Sequence, residues 1–363
     1  MIYQKGYDEL LKICKQITTH RQKIAKPKIE ELVYKHIDIH ISNEDLLSHL
    51  ISESLLKRID RQLLESKNIY IQHFDIPQIT LFYSMAKAIP FVSAGHHAAN
   101  QYLAEVMGNL EAASLFEIGI GKGLQVKNLL NLLKEGKNRL ETVNIIALDP
   151  DKRNLEESKV LLDHIQKELP FTLHYYSFHK MIEEFTDRDY EYIKEIGRDT
   201  VVINSAFTLH HTSHPINDHA CRTNLLKKLA QLKPLVFTLI EPNSNHDIED
   251  LSKRFHHSWE HFGKVFKLID ESNIDESHKF SIKEKFFGRE IRDIFGVSDY
   301  FRSERHELYD SWLLRLSKAG FKPIDYHDIK VELPQYCSYS ISDGLIRMNY
   351  DNTTVVAVFG YTL

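Results

Sequence analysis

Cysteine is scarce in this chain of 363 residues. Cys14, Cys221 and Cys337 are odd in number, far apart and without a CxxC pair. That excludes a disulfide scaffold and a cysteine-rich zinc module, and it fits a reducing compartment, so a cytoplasmic location is expected. No run of 18 apolar residues occurs, so no helix is expected to span a bilayer. Residues 1–17 mix Lys5, Asp8, Glu9, Lys12 and Lys15 with apolar residues, which interrupts any signal-peptide h-region. An excess of one charge is also missing. Lys plus Arg is 46 against 51 Asp plus Glu, a net −5. So balanced a composition predicts no nucleic-acid partner and no membrane partner. Repeats, low-complexity tracts and Pro- or Gly-rich linkers are absent.

What is present reads as a globular chain. Apolar residues make up 42% and charged residues 27%, enough for a core in roughly two to three domain-sized units. The pattern is helical before about residue 107. Asn43 stands as a cap for a helix whose apolar positions Leu47, Leu50, Ile51, Leu55, Ile59 and Leu63 recur at three- and four-residue steps. Residues 6–18, 28–37 and 78–107 also read as helices. From about 108 strands and helices alternate. Strands are predicted at 115–118, 143–148, 171–176, 200–204 and 235–240, with helices at 123–134, 152–168 and 217–232 between them. Short apolar strands in that order predict a parallel sheet covered on both faces. Residues 246–300 are helical and too long for a crossover, so they read as an insertion over the carboxyl edge of the sheet. A helix at 304–319, stopped by Gly320, and two strands at 321–330 and 354–362 close the chain. The predicted domains are therefore a helical cap at 1–107 and a doubly wound α/β core at 108–363, with a cap insertion at about 246–300.

The strongest local motif is Glu117-Ile-Gly119-Ile-Gly121-Lys-Gly123, between the first strand and a helix. Glycines there permit a tight turn and close approach of a ligand. Asp149 ends the next strand, where a carboxylate can hold both hydroxyls of a ribose. The ExGxGxG spacing differs from the dinucleotide GxGxxG. An acid at Glu117 would repel a pyrophosphate but suits the amino group and ribose of S-adenosylmethionine. That ligand is the expected cofactor, held by Glu117, Gly119, Gly121, Gly123, Asp149 and Asn204. The plain alternative is that the glycines only make the turn.

Two further segments fall at carboxyl ends of strands, where ligands bind in open α/β sheets. They are Asn204-Ser-Ala-Phe-Thr-Leu-His210-His211 and Glu241-Pro-Asn-Ser-Asn245-His246. His210, His211 and His246 are the candidate bases, since imidazole titrates near neutrality; for each, holding the loop is the bland alternative. Glu241 is expected to orient a loop or substrate. With Asn245, Arg305 and Trp312 it is expected to line the cavity of a small-molecule methyl acceptor. His257 and His261 stand at i, i+4, a zinc-compatible spacing, but no third ligand is near them in sequence, so no metal is expected.

These motifs, taken in order, resemble the GRAS domain family. His97-Ala-Ala-Asn100-Gln101 is similar to its first leucine-rich segment. Residues 115–126, with Gly123-Leu124-Gln125, fall where its VHIID block lies. Val202-Ile-Asn204-Ser205-Ala-Phe207-x-Leu209-His210 and Glu241-x-Asn243-x-Asn245-His246, then Arg254-Phe255, resemble the next blocks. Gly288-Arg289-Glu290-Ile291, Glu304-Arg305-His306-Glu307, Trp312 and Ala319-Gly320-Phe321 resemble its C-terminal region. The resemblance implies a Rossmann-like methyltransferase sheet with a helical cap. It implies two functions: plant members look like transcriptional co-regulators working through protein partners, whereas bacterial members resemble S-adenosylmethionine-dependent methyltransferases. Glu117 and the full glycine set favour the enzymatic reading, methyl transfer to an O or N acceptor. The alternative is a non-catalytic interaction module, with a protein partner or a second copy bound through the cap.

Overall fold

A computed structural model describes residues 2–34, 38–40, 42–60, 69, 70, 72, 74–212, 220–326 and 328–363. The chain opens with helices α1 (Ile2–Thr18), α2 (Gln22–Tyr34), α3 (Asn43–Ile59), α4 (Gln78–Ala88) and α5 (Pro90–Met107). Then follow β1 (Ala112–Ile118), α6 (Leu124–Glu135), β2 (Thr142–Leu148), α7 (Lys152–Ile165), β3 (Thr172–Phe178), α8 (Asp187–Gly197), β4 (Val201–Ala206), α9 (Cys221–Ala230) and β5 (Phe237–Pro242). Next come α10 (Leu251–Asp270), α11 (Glu276–Ser281), a π-helical turn over Ile282–Phe287, α12 (Gly288–Gly296) and α13 (Tyr309–Lys318). The strands β6 (Lys322–Pro323), β7 (Cys337–Ser342), β8 (Leu345–Tyr350) and β9 (Thr353–Thr362) close the chain. Two compact units result. One joins Met1–Pro90 to Asn243–Leu308; the other joins Phe91–Pro242 to Tyr309–Leu363. No described helix is long and apolar enough to cross a membrane.

In the sheet unit the strand order is β3-β2-β1-β4-β5-β9-β8-β7, with β6 beside β9. The neighbours from β3 through β5 are parallel. β9 runs antiparallel to β5 and to β8. A parallel sheet that reverses its strand order between β1 and β4, closed by an antiparallel strand, is the methyltransferase-type Rossmann-like architecture. Val201, Phe116, Ile146, Leu239, Leu226, Trp312 and Phe359 belong to the core on one face. By the pleat's alternation, Glu117, Asn204, Thr238 and Gly360 face the other side. There α5 lies close. A Cβ built on Gly95 would sit 3.4 Å from Ile240, and the Tyr102 ring comes within 2.8 Å of a Cβ built on Gly360. Residues 91–107, grouped with the cap by their helical pattern, therefore belong with the sheet, because small residues let this helix lie on it.

The helical unit is built on capped amphipathic helices. The Asp250 side chain accepts from the Ser252 and Lys253 amides at the start of α10. The cap of α3 is Ser42, whose hydroxyl accepts from Asp45 N; Asn43 is already the first helical residue. Leu63, His214 and Asn217 lie outside the described residues, as do 35–37.

The end of the chain departs from expectation in two places. The last helix begins at Tyr309 rather than at 304, because side-chain contacts hold 302–307 in an irregular path. The strand expected over 321–330 shrinks to Lys322–Pro323, and β7 and β8 form instead. Their turns have positive φ at both loop positions: 49° and 71° at Asp343-Gly344, 47° and 57° at Asp351-Asn352. That geometry gives two-residue hairpins of the tight, twist-matched kind.

Candidate functional site

The glycine turn leaves β1 at the topological switch point. Gly119, Gly121 and Gly123 have φ of 83°, 51° and 77°, a region L-residues with a Cβ avoid. The amides of Gly119 and Ile120 both donate to Leu148 O, tying the turn to β2. Intramolecular neighbours account for two of these glycines. A Cβ on Gly119 would meet Thr208 Oγ1 at 2.3 Å, and one on Gly123 would meet Ser158 Cβ at 3.0 Å.

Asp149 is engaged inside the protein as well. One carboxylate oxygen accepts from Gly121 N at 2.9 Å, and the other accepts from Asp151 N at 2.8 Å and from the Asn154 amide at 3.0 Å. The side chain is buried. Burial raises its pKa against the pull of those three donors. The carboxylate expected to face ribose hydroxyls thus closes the turn.

Glu117 belongs to a buried polar row. Parallel register sets it beside Asn204, and Asn204 beside Thr238. The Asn204 amide donates to Glu117 Oε1, and Thr238 Oγ1 donates to Asn204 Oδ1, both at 2.7 Å. Burial pushes the Glu117 carboxyl up to about 8, against the Asn204 hydrogen bond. At neutral pH it is mainly a neutral acid.

Beyond β4 the chain turns through Phe207, which has φ 53°, a strained value for an aromatic residue. Its ring lies 6.0 Å from that of His96 on α5; burial lowers the His96 pKa to about 4. Glu241, at the end of β5, accepts from Leu209 N at 2.9 Å, and its other oxygen pairs with His210 Nδ1 at 2.6 Å. Both side chains are buried, and burial pushes Glu241 up to about 8. Arg222 donates to His210 O at 2.9 Å and to Thr212 Oγ1 at 3.1 Å. Its guanidinium lies 5.7 Å from the Trp312 ring. Trp312 is a core side chain and not a cavity wall. The His210 and His211 rings have centroids 3.8 Å apart and are tilted by 52° to one another. The sheet unit thus brings the cofactor candidates and His210, His211 and Glu241 to the carboxyl ends of its strands.

The remaining candidates lie in the helical unit. His246 is fully buried. Its Nδ1 is 2.5 Å from His306 Nδ1 and its Nε2 is 2.9 Å from Ser244 Oγ. Burial lowers its pKa well below the usual value, with His306 next. Arg305, expected to line an acceptor cavity, is buried in an ion pair with Asp247 at 2.7 Å, an architectural role. Asn245 is half-buried. Thr208, Asn154 and Arg222 stand in no motif, and His96 is legible in sequence only as part of a His96-His97 pair. Asn154 had a legible cue, three residues after the helix-capping Asp151; the others are brought in by strand register and loop path.

The sequence matches the family model described as GRAS domain family over residues 7–338. Chitin-inducible gibberellin-responsive protein 2 of Oryza sativa subsp. japonica is 24% identical over 255 residues, covering 68% of this chain and 46% of that protein. DELLA protein RGL1 of Arabidopsis thaliana is 23% identical over 303 residues, covering 82% of this chain and 57% of that protein. The chain spans about half the length of the curated relatives it matches. The crystal structure of SCL7 in Oryza sativa superposes with a TM-score of 0.78 at 15% identity, covering 98% of this chain and 99% of that one. The ordered motifs, the methyltransferase-type sheet and the near full-length family match together place this chain in the GRAS domain family.

Proposed function

We propose that this chain is a GRAS-type interaction module in which a methyltransferase-like sheet serves as scaffold and a protein partner is bound through the helical unit. The observation that carries this reading is Asp149. Gly121 N in the turn holds one of its oxygens, and Asp151 N with the Asn154 amide on α7 holds the other, so three of about four acceptor sites are filled from within and too few are left for both hydroxyls of a ribose. Thr208 over Gly119 points the same way. The DELLA and gibberellin-responsive names of the relatives are those of plant family members, for which the family resemblance implies action through protein partners.

Methyl transfer from S-adenosylmethionine to a small O or N acceptor is the second reading. It is favoured by the buried His210–Glu241 pair. A carboxyl group that holds one imidazole nitrogen orients the ring as general bases require. Under this reading Glu117 and the three glycines hold the cofactor. The methyl group is already electrophilic, so the protein aligns acceptor, carbon and sulfur and excludes water.

Calorimetric titration with S-adenosylmethionine and S-adenosylhomocysteine separates the two. The scaffold reading expects binding of neither. Micromolar binding of both overturns it. In that case His210→Gln should keep the cofactor and lose methyl transfer.

A further inference from the structure

We propose that β7 is the interface of a symmetric homodimer, in which two copies pair their β7 strands antiparallel about a two-fold axis at Ser340. The contact lies in the sheet unit and holds under either reading above.

β7 ends the sheet. Among the described residues β8 is its strand neighbour, and no strand lies on its outer side. Hairpin geometry decides which of its backbone groups point outward. In a two-residue hairpin the residues flanking the loop form a hydrogen-bonded pair. Ser342 therefore bonds Leu345, and Ser340 and Ser338 bond β8 at steps of two. The next ladder has the matching phase. Gly360 N donates to Gly344 O at 2.7 Å, so even-numbered residues of β8 face β9 and odd-numbered ones face β7. The N–H and C=O groups of Tyr339 and Ile341 thus point away from β8, and no described residue hydrogen-bonds them. Cys337 N turns back to Pro334 O at 2.9 Å, which ends the free stretch.

This edge is self-complementary. Antiparallel pairing about Ser340 sets Tyr339 opposite the second copy's Ile341, and Ile341 opposite its Tyr339. Both are hydrogen-bonded pairs, so every outward N–H meets a C=O, as an isologous contact requires. The side chains fit the same register. Tyr339 and Ile341 share one face of the strand. Tyr339 is 43% exposed and Ile341 half-buried. Each ring gains an isoleucine of the other copy, an aromatic–β-branched cross-strand pair. On the opposite face Ser340 meets itself at the axis, and Ser338 meets Ser342.

The composition of the edge selects a second copy as occupant. Cys337–Ser342 holds no charge, no proline and no glycine, and these are the devices that guard exposed edges. An uncharged edge gives a charged foreign strand nothing to pair with, whereas its own copy brings no like charge against it and matches it group for group. The opposite end of the sheet is guarded. There the Gln166 side chain accepts from Leu173 N on β3 and donates to Phe171 O at 3.0 Å. A contact as short as β7 belongs with transient interfaces below about 1,200 Å², so the dimer should depend on concentration.

Sedimentation velocity of the full chain across a concentration series should show a reversible monomer–dimer equilibrium. Tyr339→Lys should weaken it by at least about 10-fold, because symmetry loses the side-chain pair twice, with circular dichroism unchanged. Cysteine crosslinking reads the register in a Cys221→Ser/Cys337→Ser background, which keeps only the buried Cys14. Facing residues of a non-hydrogen-bonded antiparallel pair have Cα atoms about 4.5 Å apart, within disulfide reach. Under copper-phenanthroline oxidation Ser340→Cys should therefore give a disulfide-linked dimer. Ser338→Cys, which faces Ser342 and not itself, should not. A monomer at every concentration, a dimer untouched by Tyr339→Lys, or equal crosslinking of Ser338→Cys and Ser340→Cys would each overturn the proposal.

Discussion

Glu117→Gln removes one titrating group from the middle of the buried row while keeping its size and an oxygen for the Asn204 amide. In the folded chain burial pushes this carboxyl up to about 8, against an ordinary value of 4.5. Between those values the folded state keeps a proton that the unfolded state releases. The group's contribution to stability is therefore complete below about pH 4.5 and declines as pH rises towards 8. One unit of difference corresponds to about 1.4 kcal/mol. From pH 5 to 8 the wild type should lose on the order of 3 kcal/mol that the variant retains. A Trp259→Phe background leaves Trp312, buried in the sheet unit, as sole tryptophan reporter of urea unfolding. With a urea slope of about 1–3 kcal/mol/M, the wild-type midpoint should fall by at least about 1 M more than the variant's. Glu241 and every other titrating group cancel in that comparison. Parallel midpoints across the pH range would refute the claim that Glu117 is a neutral acid in the fold.

Gly119→Ala combines a φ of 83° with a clash against Thr208; it should cost about 2 kcal/mol or more, and adding Thr208→Gly should recover part of the thermal midpoint. Asp299→Asn leaves the Arg254, Arg58 and Arg302 guanidiniums without their shared carboxylate and should destabilise the helical unit by about 3 kcal/mol in denaturant titration. Burial opposes ionisation of Asp299, but the guanidiniums outweigh it and hold its pKa near 2. Its stabilising share is thus present above pH 3.8 and lost as pH falls towards 2, so the variant's acid unfolding should be flatter than wild type's over that interval. Asn352→Gly should stabilise the β8–β9 hairpin by about 0.5 kcal/mol, because φ there is 57° and glycine meets no penalty; an unchanged melting temperature would count against the turn assignment.

Much of the sheet unit was legible as local pattern. Short apolar strands bounded by glycine, asparagine and aspartate announced β1 to β5, and Asp149 ended β2 where expected. Of the closing meander, β9 was expected over 354–362, whereas β7 and β8 were not. The half-polar strand Cys337–Ser342 has no buried residue and carries no apolar run, although Asp343-Gly344 is a recognisable hairpin pair. The helix expected from 304 failed for another reason. Arg302, Glu304, Arg305 and His306 are buried charged or polar residues whose partners lie on α12 and in the segment before α10, and tertiary hydrogen bonds outweigh local helical preference.

Composition and order by themselves determined the family, the α/β alternation, the glycine turn and the place of each loop at a strand's carboxyl end. These follow from hydrophobic period and backbone freedom, which act over a few residues. Only tertiary structure decided what the polar groups of those loops face. Asp149 turns onto Gly121 and Asn154, Glu117 loses its charge beside Asn204, and His306 is oriented by His246, sixty residues away. A side chain's charge and hydrogen-bond partners depend on burial and register between distant strands and helices, and no local pattern encodes them.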